Sequence, residues 1–254
     1  MMKKTIKKAL LFALTLLPIA AVAGIFTGFY QLDTLSDEVV AQVVAQLGST
    51  EAIAVVGAVQ TVGYALFFGF FGYILADKIG LWKTVEFEKK GLVVTLITGV
   101  IGGGVLLFDH WVLGGMFDGI RQANAASLTV SGVGAAVLYG GIFEEVMMRL
   151  FLMSLIAFVI WKVFFGKYDR ENIPTGVFVT ANIIAAVAFA AGHLPATIAM
   201  FGELTPLLLL RCFAFNGGLG MAFGHLYRKY GIVYAMAAHA LCHIVFKTIL
   251  LILI

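Results

Sequence analysis

Two adjacent glutamates, Glu144 and Glu145, lie within a long apolar stretch. An ionisable side chain at the centre of a membrane-spanning helix costs roughly 2.5–3.5 kcal/mol, so such residues are rare and are candidates for function. Arg149 lies four residues after Glu145, on the same helix face, which predicts an ion pair between them. Glu144 lacks such a partner and is predicted to accept a proton from water. The alternative is a Glu-Glu-Arg cluster that only holds helices together.

The five histidines form a second set of candidates. His193 ends an apolar stretch, and His239 and His243 lie four residues apart on one face of the last apolar segment. His110 and His225 lie near segment ends, and we expect both to be interfacial. Three imidazoles at membrane depth, together with an unpaired carboxylate, indicate acid–base chemistry.

Two imidazoles at positions i and i+4 are also a zinc-binding pattern. The zincin motif requires glutamate directly after the first histidine, and this chain has Ala240 there. Glu144, His193 and His239 would together supply the ligand types of a catalytic zinc site. We favour a site without a metal ion or other cofactor and keep zinc as the alternative.

The composition places these residues in a membrane protein. The chain has 254 residues, of which 61% are hydrophobic and 12% charged, with a net charge of +3 and mean hydropathy of +1.02. Soluble domains have about 45–50% apolar and about 25% charged residues. A spanning helix needs roughly 20 apolar residues. Seven segments meet this requirement and predict an all-α, polytopic transmembrane bundle: 10–30, 52–76, 91–114, 131–164, 175–195, 204–227 and 232–254.

The distribution of basic residues predicts the orientation of the spans. The amino-terminal tail and the loops after the second, fourth and sixth segments hold thirteen Lys and Arg residues, whereas the opposite loops hold only Arg121. By the positive-inside rule, the amino terminus is cytoplasmic and the carboxyl terminus is outside. We expect a multi-pass protein of a prokaryotic plasma membrane. The alternative for the first segment is a signal peptide cleaved after Ala21-Val22-Ala23.

Some segments depart from a simple span. Segment 131–164 is too long for a perpendicular helix, which predicts a tilt or an extension into the cytoplasm. The polar stretch 31–51 predicts a short amphipathic helix on the outer surface. Cys212 and Cys242 lie in apolar runs and are expected to be packing residues.

We divide the chain into amino-terminal helices, 1–130 with three spans, and a catalytic core, 131–254 with four spans.

The candidate residues occur in an order that resembles a known family. Glu144-Glu145-x-x-x-Arg149 is followed by Phe189-x-x-x-His193, then by a glycine-bearing helix with a short basic turn, and then by His239. These resemble the four ordered motifs of the CPBP (Abi) intramembrane proteases, a family that includes the type II CAAX prenyl endopeptidases and proteins linked to bacteriocin processing and self-immunity. The resemblance covers approximately residues 131–246, nearly half of the chain.

The resemblance implies a role for each motif residue. Glu144 would activate the attacking water with help from His193, and Phe189 would pack within its motif. Glu145 and Arg149 would form an ordering ion pair.

His239 would help to stabilise the oxyanion of the tetrahedral intermediate. The family usually has Asn or Asp four residues later, where this chain has His243. An imidazole N–H also donates a hydrogen bond, so His243 is the candidate second donor.

The predicted function is therefore an intramembrane endopeptidase acting on a membrane-associated peptide or protein, such as a prenylated tail or a leader peptide. One alternative is a non-catalytic membrane scaffold or bacteriocin-immunity protein of the same fold, which the unusual His243 favours. A second is a proton-coupled transporter, because buried Glu and His residues also form proton relays. The sequence has no nucleic-acid-binding motif.

Overall fold

The structure is a computed structural model that describes residues 2–34 and 36–254. Every regular element in these ranges is helical, which confirms the predicted all-α class. The α-helices are α1 (Met2–Thr34), α2 (Asp37–Leu47), α3 (Thr50–Ile79), α4 (Lys89–Trp111), α5 (Asp118–Ala126), α6 (Val130–Gly134), α7 (Ser154–Phe164), α8 (Thr175–Gly192), α9 (Leu194–Phe201), α10 (Pro206–Cys212), α11 (Gly218–Tyr230) and α12 (Ile232–Leu253).

Seven stretches of helix are long and apolar enough to cross a membrane, and each coincides with one of the seven predicted segments. They are Lys3–Thr34, Thr50–Ile79, Lys89–Gly115, Val130–Phe164, Thr175–Phe201, Pro206–Tyr230 and Ile232–Leu253. The first and second of these spans pack closely because α1 and α3 meet at two glycines. A Cβ atom on Gly24 or Gly57 would collide with the backbone of the other helix. Small residues at such crossings are typical of helix packing in lipid.

The short helix α2 has ordinary caps at both ends. Ser36 caps α2 by accepting a hydrogen bond from the backbone N–H of Val39, and Gly48 ends this helix in the left-handed conformation at φ = 90°. None of the residues of α2 is buried. A short surface helix thus lies within the polar stretch 31–51, as predicted.

The fourth span lies at the centre of the bundle and packs against α1, α3, α8 and α12. Phe143, Val146, Leu150 and Met153 in this span are completely buried. Its middle is π-helical over Ala135–Glu144 and Val146–Met153. The sequence predicted a long tilted helix here and did not reveal this widening. Such π-helical turns are rare and frequently occur at functional sites, and here they bracket Glu145.

Candidate active site

Glu145 lies at the centre of a buried charged cluster, in which it forms an ion pair with Arg149 and a hydrogen bond with His239. Its side chain is 0% exposed, and its Oε1 lies 3.1 Å from Nη1 of Arg149 and 2.9 Å from Nδ1 of His239. The fourth span supplies the acid and the arginine, and α12 supplies the histidine. Because the carboxylate can only accept, Nδ1 of His239 carries a proton. Glu145 thereby fixes the orientation of the His239 ring.

The guanidinium of Arg149 is enclosed by aromatic rings. Its Cζ lies 4.6 Å from the ring centre of Phe189 and 5.7 Å from that of Phe223, so both contacts are within cation–π range. Gly220 provides room on one side, since a Cβ atom there would lie 2.9 Å from Nη2. Sequence reasoning missed Phe223 and Gly220. The sequence of an apolar helix does not indicate which distant residue its glycines and aromatic residues contact.

Glu144 has a different environment from its neighbour, because its side chain is 21% exposed and lines a cavity. Its Oε2 lies 3.9 Å from Nε2 of His239, beyond hydrogen-bonding distance but close enough for a shared ligand atom between them. The two adjacent carboxylates therefore differ in their access to the cavity. Glu145 is sealed within protein, and Glu144 is open to a molecule in the cavity.

His193 lies at the junction of α8 and α9 and also lines this cavity. Its Nδ1 is 2.8 Å from the backbone oxygen of Phe189, and its ring packs edge-on against the Phe189 ring at 4.6 Å. Since a carbonyl oxygen only accepts, Nδ1 donates, and in the neutral ring Nε2 is an acceptor. His193 can therefore accept a hydrogen bond from water through Nε2.

His239 and His243 stack on successive turns of α12, with ring centres 5.1 Å apart. Phe223 stacks on His239 at 4.5 Å and holds that ring in place. Nε2 of His243 lies opposite Gly140 of the fourth span, and a Cβ atom on Gly140 would be 3.3 Å from it. The two rings thus present nitrogen atoms to the cavity near Glu144.

The cavity has a volume of about 400 Å³ and extends well beyond these residues. Glu144, His193, His239 and His243 all line it, together with Phe189. Polar residues from several other helices and loops also line it, among them Tyr30, Asp109, Asn124, Ser127, Arg211, Asn216 and Lys247. The sequence analysis assigned no site role to this second group.

The other two histidines lie outside the cavity lining. His225 is exposed on α11. His110 is only 4% exposed, and its Nδ1 lies 3.2 Å from the Asn124 side chain on α5. His110 thus lies near the end of its span, as expected, and is covered there by α5.

The arrangement of the possible donors bears on the zinc alternative. Among the described residues, no group of three or more His, Cys, Asp or Glu side chains converges as a metal site would require. One nitrogen of His193 bonds a backbone oxygen and one of His239 bonds Glu145. Nε2 of each ring stays free of hydrogen bonds to the described residues, an arrangement that is also common among metal-binding histidines, whose other nitrogen donates to an oxygen. The zinc alternative therefore stays a prediction, and the mechanism proposed below uses only the side chains of the protein.

Comparison with known proteins gives one family. A family model described as type II CAAX prenyl endopeptidase Rce1-like matches residues 126–245. The match begins just before the fourth span, ends within α12, and contains every candidate residue from Glu144 to His243. No curated protein and no solved structure matches the chain.

Proposed function

We propose that this membrane protein, whose residues 126–245 belong to the Rce1-like family of type II CAAX prenyl endopeptidases, hydrolyses a peptide bond with water activated by Glu144. The family match supports a protease that acts on a membrane-associated substrate. The observation that carries the finer proposal is the division between the two glutamates. One carboxylate faces a cavity with three histidines, and the other is sealed against Arg149 and His239.

In this mechanism, Glu144 accepts a proton from water as the water oxygen bonds to the carbonyl carbon of the substrate. His193 accepts the second hydrogen bond of that water through Nε2 and so orients it. Both groups line the same cavity, which supports their acting on one water molecule. When the C–N bond breaks, the proton held by Glu144 passes to the leaving nitrogen.

The carbonyl oxygen becomes negative in the tetrahedral intermediate and needs hydrogen-bond donors. His239 donates from Nε2 when its ring carries both protons, and the buried Glu145 carboxylate stabilises that positive charge. His243 is the second donor, stacked one helical turn away. A donor in a low-dielectric cavity is worth more than one in water, and losing one typically costs about 10²–10³ in rate.

The proposal is tested with purified protein in detergent and a panel of quenched fluorescent peptides that includes a farnesylated CAAX peptide. Glu144→Gln keeps the side-chain shape, removes the base, and should reduce cleavage by about 10²–10⁴-fold. Glu203→Gln is the matched control, because Glu203 is an exposed loop residue and its variant should cleave like wild type. A zinc chelator should leave the rate unchanged.

Cleavage by Glu144→Gln at the wild-type rate would refute the proposed base. A rate lost on chelation and restored by zinc would refute the metal-free mechanism. A biological phenotype retained by Glu144→Gln, with no cleavage by wild type, would favour a non-catalytic immunity or scaffold role. The presence of His243 where the family has Asn or Asp is the observation that favours this second function.

A further inference from the structure

Lys247 is a buried cation in the wall of the candidate active-site cavity. It lies on α12, well inside the last span, and is only 6% exposed. Its Nζ donates to the backbone oxygen of Ser127 at 2.7 Å and to the Ser127 hydroxyl at 2.8 Å. Both acceptors are neutral. A lysine ammonium has three donors, so this pair of hydrogen bonds leaves one donor unused.

The positive charge of Lys247 has no described counter-charge. Among the described side chains, none of the salt bridges within 4 Å involves Lys247. The other cation in the cavity wall, Arg211, is already neutralised, because its Nε lies 2.7 Å from Oδ1 of Asp109 in a two-pronged ion pair. A buried charge without a partner is unfavourable, which indicates that an anion entering the cavity would bind at Lys247.

The position of Lys247 on α12 gives its distance from the proposed oxyanion donors. His239, His243 and Lys247 follow one another at intervals of four residues, and all three line the cavity. At 1.5 Å per residue, Lys247 lies about 6 Å along the helix from His243 and about 12 Å from His239. An extended peptide covers about 3.3–3.6 Å per residue, so this separation corresponds to about two to four residues.

We infer that Lys247 binds the terminal carboxylate of the peptide substrate while its scissile carbonyl lies at His239 and His243. The bond that is cut would then lie a few residues before the carboxyl end, and the leaving fragment would be a short peptide acid. Lys247 is on this view a specificity-determining residue that selects free carboxyl termini over internal segments. The inference rests on the proposed peptidase function and assigns a role to the part of the cavity around Lys247.

The test measures binding without turnover. The Glu144→Gln protein is titrated with a fluorescent farnesylated CAAX peptide made as a free acid and as an amide. The free acid should bind at least about tenfold more tightly, as expected for a hydrogen bond between charged groups. Adding Lys247→Met should lower the affinity for the acid to that for the amide. Lys247→Arg should keep a preference for the acid.

Ser127→Ala is the matched control, because it removes one acceptor of Lys247 and retains the cation. It should keep the preference for the acid. An equal affinity for acid and amide, a preference that survives Lys247→Met, or binding of neither peptide would overturn the inference. An amidated peptide ending in Asp that binds as tightly as the free acid would also overturn it, since the site would then accept any carboxylate.

The two proposals fail in different ways. Cleavage of the free acid and the amide at equal rates by wild type, with loss of both in Glu144→Gln, would refute the role of Lys247 and leave the peptidase intact. Absence of cleavage by wild type would count against the peptidase itself.

Discussion

Gly140 of the fourth span and His243 of α12 face each other in the cavity wall. A Cβ atom on residue 140 would lie 3.3 Å from Nε2 of His243 and 4.0 Å from Oε2 of Glu144. The absence of a side chain at Gly140 therefore makes room for an imidazole where the protease family that the chain resembles usually has a smaller Asn or Asp. The departure from the family pattern at position 243 is accommodated by the opposing helix.

Gly140→Ala should therefore impair the site without unfolding the protein. The added methyl group is tighter against His243 than most real contacts, so the ring must move from its position beside Glu144. We expect peptide cleavage to fall about tenfold or more, because small displacements of positioned groups reduce rates strongly. Gly104→Ala in α4 is the control, since nothing lies within 4 Å of a Cβ atom there. Equal rates for both variants would contradict this account.

Replacing His243 tests whether its imidazole donates a hydrogen bond to the oxyanion. His243→Asn restores the amide of the family pattern and should retain activity within about tenfold, whereas His243→Ala removes the donor and should lower kcat/KM by about 10²–10³. The measurement is kcat/KM for one cleaved peptide. If His243→Ala cleaves as fast as wild type, this imidazole does not contact the oxyanion.

The buried residues Glu145 and Arg149 should each depend on the other for their contribution to stability. Removing one partner of a buried ion pair leaves an uncompensated charge and costs about 3–5 kcal/mol, so Arg149→Met and Glu145→Gln should each strongly destabilise the protein. The free energy of unfolding, measured in mixed micelles, reports the loss. The double variant should recover part of it, because neither charge then remains buried alone.

The control for this prediction is the exposed pair Arg170–Glu171. Its side chains are 46% and 72% exposed, and Arg170→Met should cost no more than about 1 kcal/mol. Similar losses for Arg149→Met and Arg170→Met would show that burial does not determine the contribution of Arg149.

The position of the polar wall predicts the side from which substrate enters. Tyr30, Asp109 and Ser127 lie near the span ends opposite the lysine-rich loops, so the positive-inside rule predicts that this end of the cavity faces outward. A membrane-impermeant maleimide should label Gln122→Cys in intact cells and should label Thr84→Cys only after lysis. Both positions are exposed, and the native Cys212 and Cys242 are buried. The reverse labelling pattern would place the opening on the cytoplasmic side.

Much of the fold was predictable because lipid imposes simple constraints. Each apolar segment must be long enough to cross the bilayer and must satisfy its own backbone hydrogen bonds, so hydropathy alone located all seven spans. The rule that ionisable groups are rare at membrane depth selected Glu144 and His239, and the structure brings these two to the same cavity.

The remaining features depend on contacts between distant segments. The hydrogen bonds of Lys247 to Ser127 join residues 120 positions apart, and no local pattern indicates that register. The stacking of Phe223 on His239 and the space at Gly140 likewise depend on how helices meet. The π-helical middle of the fourth span escaped prediction because hydropathy reports which residues are apolar and not how many residues form each turn.

The hydrogen bond between Glu145 and His239 also has a consequence for how the protein is made. It joins residues 94 positions apart, and synthesis delivers the fourth span to the membrane before α12 exists. During that interval Glu145 has Arg149 as its local partner, and the acid acquires its second partner only when the last helix docks. The full network therefore forms only after α12 has been inserted, so the chemistry that we propose for the cavity requires this helix to dock against the fourth span.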